Sequence, residues 1–116
     1  IDLLGRSKKQ ARIESVGDVK VLKDDVRVLE LHHMQGLKHA DGMLIAYLPK
    51  ERIVVQADMG FIGRNAPGAG EHRAGTLVAN LERLKLNYDK VVFVHRPEPD
   101  RAVTKADLLK LAASEK

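Results

Sequence analysis

The chain has 116 residues and a formal net charge of +4, and this length fits a single domain. Hydrophobic residues make up 44% of it, enough for a globular core, and its 31% of charged residues are too well mixed for a disordered tail. The lack of cysteine excludes disulfides and thiolate metal sites. No segment approaches the ~20 apolar residues of a membrane span. We therefore expect a soluble protein of the periplasm or cytoplasm.

The N-terminal residues 1–10 are polar and are expected to be flexible. Because the first residue is Ile1 rather than methionine, we expect the chain to be a piece of a longer protein. The basic residues Arg6, Lys8, Lys9 and Arg12 permit a nucleic-acid or membrane-surface patch. No aromatic side chains lie among them for base stacking, so a solvated terminus is preferred, and neither nucleic acid nor a membrane is an expected partner.

Alternating apolar and charged residues predict short strands in the first half of the chain. We predict strands at 11–15, 18–22, 26–32, 43–48 and 52–57. The run 43–48 is almost wholly apolar, which is typical of a central strand covered on both faces. A turn at Pro49 separates it from the next strand, because proline presets a turn dihedral and cannot donate to a sheet.

The second half of the chain predicts two helices around one strand. Residues 59–70 form a glycine-rich loop, and a leucine stripe at helical spacing predicts a helix over 71–86. A buried strand follows at 90–94, and Thr104 is the predicted N-cap of a helix that ends near residue 113. The chain 1–116 is therefore expected to be one α/β (α+β) domain: a mixed sheet of five or six strands with two helices on one face.

Three side chains are candidates for a zinc-type site. His39 lies in a glycine-rich loop, Asp58 ends the second of the two strands that follow this loop, and His95 ends the apolar run 91–94. Imidazole and carboxylate groups bind such cations best when rigid strands direct them. Each also has an ordinary structural explanation: His39 and His95 as hydrogen-bonded loop histidines, and Asp58 as a cap for the next loop.

Four motifs occur in one order: the histidine loop 36–39, the tetrapeptide 46–49 (Ala-Tyr-Leu-Pro), Ala57-Asp58 and Val94-His95. This order resembles the C-terminal half of the metallo-β-lactamase-fold hydrolases, over roughly residues 10–112. Two differences stand out. Arg96 follows the late histidine where the family usually has glycine, and the family's N-terminal cluster of three histidines and an aspartate is absent from these residues. The resemblance implies half of an αββα sandwich.

The resemblance also implies roles for individual residues. His39, Asp58 and His95 would be zinc ligands, and Asp58 would bridge two metal ions as the catalytic carboxylate. Asp41 would orient His39, as carboxylates do for metal-bound imidazoles, or would merely form a turn with Gly42. His33 would lie near the same loop. Because the family's other ligands are missing, zinc occupancy of this chain alone is expected to be low.

A half-sandwich leaves one apolar sheet face uncovered. At ~25 cal/mol per Å², a bare face of several hundred Å² costs several kcal/mol, comparable with the net stability of a domain. The expected partner is therefore the missing N-terminal half or a second copy of the chain, in a homodimer. The predicted function is the C-terminal part of a zinc-dependent hydrolase of a small-molecule substrate, weak or inactive alone. The alternative is a non-catalytic dimerising or assembly module.

Overall fold

A computed structural model of the chain describes residues 2–38, 40–63 and 73–115. Its strands form one six-stranded mixed sheet in which strands consecutive in sequence are neighbours, which confirms the predicted α+β architecture. In chain order the elements are α1 (Leu3–Ser7), β1 (Val19–Lys23), β2 (Val28–His33), β3 (Leu44–Leu48), β4 (Ile53–Gln56), α2 (Arg73–Arg83), β5 (Lys90–Phe93), β6 (Val103–Thr104) and α3 (Lys105–Ser114). None of these described helices is long and apolar enough to cross a membrane.

The strand directions decide which chain segments share an edge of the sheet. Strands β1 to β4 pair antiparallel in sequence, whereas β4 and β5 pair parallel and are joined by the crossover through α2. Gln56, the last residue of β4, lies opposite Phe93, the last residue of β5. The carboxyl ends of β4 and β5 therefore lie side by side.

The core lies between the sheet and helices α2 and α3. We call this helix-covered side of the sheet the inner face. Leu77 and Leu81 of α2, one helical turn apart, and Leu108 of α3 are almost fully buried against it. The other buried hydrophobic residues of this cluster are Met34, Leu37, Ile45, Tyr47, Val54, Met59, Ala74, Tyr88, Val91, Phe93 and Val103.

The opposite side of the sheet, here called the outer face, is apolar, and the described parts of α2 and α3 leave it without a helix. Residues paired across strands share a face, so Leu31, Ala46, Val55 and Val92 form one row from β2 to β5. The first three are half-buried and Val92 is 47% exposed. The expectation that β3 is covered on both faces is therefore wrong for this chain by itself.

The predicted strand at 11–15 is also wrong. This segment pairs with no strand among the described residues, and Ile13 is 91% exposed. Two elements were not predicted. The strand β6 has only two residues, too few to show a period, and α1 begins at an N-cap in which the Asp2 carboxylate accepts a hydrogen bond from the Gly5 amide at 2.7 Å.

The predicted helices are confirmed, with different ends. Residues 71 and 72 lie outside the described ranges. Helix α2 ends at Arg83, before the predicted position, because Lys85 adopts a left-handed conformation (φ 53°) and the Leu86 amide donates to the Leu81 carbonyl. Helix α3 begins as predicted: the Thr104 hydroxyl accepts from the Asp107 amide, and the Asp107 carboxylate accepts from the Thr104 amide.

Candidate metal centre

Asp58 and His95 meet at the edge where β4 and β5 end. Each lies two residues beyond the paired strand ends Gln56 and Phe93, so the parallel register brings them together. The Oδ1 atom of Asp58 is 2.6 Å from Nε2 of His95, and the two side chains are 34% and 49% exposed. The structure thus places two of the three predicted ligands in contact at an accessible position, while their role as ligands stays a prediction.

The backbone at Asp58 is fixed by buried polar contacts. Asp58 adopts a left-handed conformation with φ 63°, which aspartate tolerates better than most residues. The next amide, that of Met59, donates to the side-chain carbonyl of the buried Gln56 at 2.9 Å. Arg73 at the start of α2 donates to the Asp58 carbonyl oxygen at 3.3 Å. These contacts hold the turn so that the carboxylate points to the edge of the sheet.

The loop between β2 and β3 begins and ends at this same edge. His33 ends β2 opposite Leu44, which begins β3. Because β3 runs antiparallel to β4, the beginning of β3 lies beside the end of β4, next to Asp58. His39 belongs to this loop but lies outside the described residues, so its contribution to the site stays a prediction.

Helix α2 anchors the first part of the loop. The amide side chain of Asn80, which is 4% exposed, accepts from the Gln35 amide at 3.0 Å and donates to the Gln35 carbonyl at 2.9 Å. It therefore pairs with Gln35 as a neighbouring strand would. Asn80 also donates to the Thr76 carbonyl and accepts from Arg83, so this buried amide is fully satisfied.

The two residues predicted to support the site lie on the same rim. Asp41 is exposed and forms a turn with Gly42, whose φ is 80°. His33 is half-buried at the end of β2, its amide donates to the Asp18 carbonyl at 2.9 Å, and it lines an open pocket together with Glu14. Whether either orients a ligand stays a prediction, because His39 is not described.

A second histidine–carboxylate pair lies on the inner face. Nε2 of His32 is 2.7 Å from the Glu30 carboxylate, yet the two side chains are only 9% and 24% exposed. Nδ1 of His32 is buried and has no hydrogen-bond partner among the described residues. This pair is less accessible than Asp58 and His95 and is separated from them across the sheet. Since residues two apart on a strand share a face, the sequence could have revealed it.

The donors present match part of a zinc site. Zinc in proteins binds imidazole nitrogen and carboxylate oxygen at about 2.0–2.2 Å and takes three or four protein ligands. Asp58 and His95 are of these types, and a small increase of their separation would admit a cation between them. Across the described ranges, however, no group of three or more histidine, aspartate or glutamate residues could hold a metal ion. The described residues therefore supply a two-donor site, which needs further ligands.

One neighbour of the site was missed from the sequence. The Phe61 ring lies 5.5 Å from the His95 ring between centroids, at an interplanar angle of 32°. The sequence predicts a glycine-rich loop for the segment that contains Phe61 and gives it no role at the site. The available signal was an aromatic residue in such a loop, three residues after Asp58, in a chain with only two phenylalanines.

Comparison with known proteins gives no match to a family model and none to a curated protein. Solved structures do match. A metallo-β-lactamase from Pontibacter korlensis is 14% identical with a TM-score of 0.65, and the alignment covers 97% of this chain and 53% of that one. The DIM-1 metallo-β-lactamase is 19% identical with a TM-score of 0.60, covering 98% and 54%. The sec-alkylsulfatase Pisa1 from Pseudomonas sp. is 18% identical with a TM-score of 0.53, covering 87% and 17%.

The chain thus spans about half the length of the metallo-β-lactamases that it matches. At these identities the likeness establishes the fold and nothing finer. The half-length match agrees with the order of the motifs and with the single sheet that carries helices on one face only. The chain therefore has the metallo-β-lactamase fold, consistent with the C-terminal half of that fold.

Proposed function

We propose that this chain is the C-terminal part of a metal-dependent hydrolase in which Asp58, His95 and His39 bind zinc. The observation that carries the proposal is the accessible Asp58–His95 pair, with 2.6 Å between Oδ1 and Nε2, at one edge of a metallo-β-lactamase-fold sheet. The loop that contains His39 begins and ends at the same edge, which supports its inclusion.

The chemistry of the site follows from its donors. A zinc ion bound there would lower the pKa of a water ligand and stabilise the negative charge that develops on a substrate oxygen. Asp58 supplies an anionic oxygen that can bind one ion or bridge two. His95 would hold the ion through the lone pair of Nε2. In the structure that nitrogen lies 2.6 Å from Oδ1 of Asp58.

The described residues supply two donors, so we expect the others from His39 and from another polypeptide segment. The outer face is the surface on which a complementary half would pack, because it is apolar and the described helices do not cover it. The metallo-β-lactamases that the chain matches contain nearly as much additional sequence as the matched part. We therefore assign the outer face to a complementary half-sandwich and expect activity to be weak or absent without it.

The proposed substrate is a small molecule with a hydrolysable ester, lactam or similar bond. The similar solved structures include proteins named as metallo-β-lactamases and as a sec-alkylsulfatase, which supports a hydrolytic reaction without selecting one bond. The access to Asp58 and His95 at the rim of the sheet supports a substrate that approaches from solvent.

Zinc affinity tests the proposed ligands directly. The affinity of the chain for Zn²⁺ can be measured by competition with a chromophoric chelator. Asp58→Asn and His95→Gln should each weaken binding by about tenfold or more. Asp89→Asn is the matched control, because Asp89 precedes β5 at the opposite edge of the sheet, where it pairs with Arg52 at 2.8 Å. Equal zinc affinity in wild type, Asp58→Asn and His95→Gln would refute the proposed site.

The alternative function is a non-catalytic module that dimerises through the outer face. The exposure of Val92 on that face is the observation that favours it. Sedimentation and zinc affinity together separate the two functions. A stable two-fold dimer whose zinc affinity does not depend on Asp58 would support the module and contradict the hydrolase.

A further inference from the structure

The segment that carries Phe61 is held firmly against the body of the protein on its N-terminal side. Met59 is fully buried, and its amide is bonded to the Gln56 side chain. A Cβ atom added at Gly60 would lie 3.1 Å from a methyl group of Leu111 and 3.4 Å from the Phe93 ring, so the backbone itself packs on α3 and β5. Phe61 therefore follows two residues with little freedom to move.

The same segment is held on its C-terminal side by the loop that follows His95. The Glu98 amide donates to the Ile62 carbonyl at 3.0 Å. A Cβ atom at Gly63 would lie 1.8 Å from the Glu98 carbonyl oxygen, which shows how closely the two backbones approach. The loops carrying Phe61 and His95 thus form one joined rim, and the Phe61 ring position is set relative to His95.

With other described residues, His95 makes an ion pair with Asp58 and a ring contact with Phe61. Metal-binding histidines usually donate their second ring nitrogen to a carboxylate or carbonyl, and this hydrogen bond fixes the ring orientation. Among the described residues, the Phe61 ring is the aromatic neighbour of His95, in addition to the ion pair with Asp58. A centroid distance of 5.5 Å lies in the range at which aromatic pairs attract.

We propose that Phe61 is a positioning residue for His95: its ring fixes the imidazole plane so that Nε2 points toward Asp58 and the metal. The role rests on the proposed function, since it presumes that His95 is a ligand. A half-exposed imidazole without this contact would sample other rotamers, and metal binding would then have to order it.

The test uses the whole chain and Zn²⁺ alone as the probe. Phe61→Leu keeps an apolar side chain but removes the ring, and should weaken zinc affinity on the order of tenfold. Phe61→Tyr restores the ring and should return the affinity to within about twofold of wild type. Ile62→Val is the matched control, because Ile62 lies on the same segment but lines a pocket with Arg101 and Leu111.

The His95 χ1 rotamer, measured from NMR side-chain couplings, and urea unfolding together separate positioning from a general loss of structure. The χ1 couplings of His95 should be averaged over several rotamers in Phe61→Leu and should report a single rotamer in Phe61→Tyr, at similar urea midpoints. Unchanged zinc affinity in Phe61→Leu, or an equal loss in the leucine and tyrosine variants, would overturn the role of Phe61. If Asp58→Asn and His95→Gln also bind zinc with wild-type affinity, both the proposed metal site and the role of Phe61 are refuted. If these two variants bind zinc weakly, only the role of Phe61 is refuted.

Discussion

The two histidine–carboxylate pairs have nearly the same contact distance and differ in their surroundings. Asp58 and His95 stand at an open edge, so a cation could reach both side chains and keep its access to water. Glu30 and His32 lie on the helix-covered face, where a cation would have to enter a largely buried space. Accessibility, rather than the pair distance, therefore distinguishes a candidate metal site from a structural contact.

Two glycines near the site allow a matched prediction. Gly36 and Gly63 both have a positive φ, 77° and 70°, but a Cβ at Gly36 would meet no atom within 4 Å. Gly36→Ala should therefore cost only the left-handed backbone penalty, about 1–2 kcal/mol in urea unfolding. Gly63→Ala should cost at least ~2 kcal/mol more, because its Cβ would collide with the Glu98 carbonyl. Equal costs would show that the two loops do not approach as described.

The sequence was sufficient to place Asp58 and His95 near each other, because both follow strand ends and parallel strands share an edge. It was not sufficient for Phe61, whose contact depends on the path of a loop and on a side-chain rotamer. The same limit applied to Asn80, a polar residue on a helix that binds the backbone of Gln35, 45 residues away. Such contacts between distant segments leave no periodic signal.

At the scale of elements, the start of α3 depends on an ionised carboxylate. The pKa of Asp107 lies far below its ordinary value. The largest cause is the contact of both carboxylate oxygens with the Arg101 guanidinium, and hydrogen bonds from the Thr104 amide and hydroxyl add to it. Because the pKa of Asp107 is lowered in the folded state, its carboxylate stabilises the folded protein fully at pH values above its ordinary pKa of ~3.9. This contribution to the free energy of unfolding is lost as the pH falls toward the folded-state pKa.

Asp107→Asn should therefore reduce stability by an amount that is constant above about pH 5 and shrinks in more acidic solution. Urea unfolding of wild type and variant across this pH range measures the difference. Asp100→Asn serves as the control, since Asp100 pairs with Arg96 at 3.2 Å at the surface and caps no helix, so its removal should cost little. A difference for Asp107→Asn that grows as the pH falls below 4 would contradict the assignment.

The C-terminus of α3 supports the start of α2. The two carboxylate oxygens of Glu115 accept from the amides of Ala74 and Gly75 at 3.1 and 3.0 Å, so an acidic residue distant in sequence serves as the helix cap. Glu115→Ala should destabilise the protein by about 1 kcal/mol in urea unfolding. Glu82→Ala removes a carboxylate from an exposed position of α2 and should have a smaller effect. Equal effects would argue against the cap.

The predicted elements succeeded where local chemistry decides the structure. The Thr104 capping box was readable because its two residues are three positions apart. The end of α2 could not be read from the sequence, because Lys85 adopts a left-handed conformation that its residue type does not favour. The strand prediction at 11–15 failed because alternation alone does not supply a partner strand, and within the described part of the chain β1 pairs with β2 alone.

At the scale of the whole molecule, the apolar outer face should control association. Without a complementary half, the wild-type chain should associate as its concentration rises, since this face offers apolar surface to a second copy. Val92→Lys, at the exposed end of the row on that face, should shift sedimentation toward the monomer. Leu109→Lys should leave the sedimentation unchanged, because Leu109 is a 42% exposed residue of α3 in the other layer. Wild type that remains monomeric at all concentrations would contradict this use of the outer face.

The most direct test of the central claim is the position of zinc in a crystal of the chain grown with Zn²⁺, located by anomalous diffraction at the zinc edge. We expect the strongest peak within about 2.0–2.2 Å of both a carboxylate oxygen of Asp58 and Nε2 of His95. A peak at Glu30 and His32, or none at Asp58 and His95 when the crystal contains bound zinc elsewhere, would contradict the account.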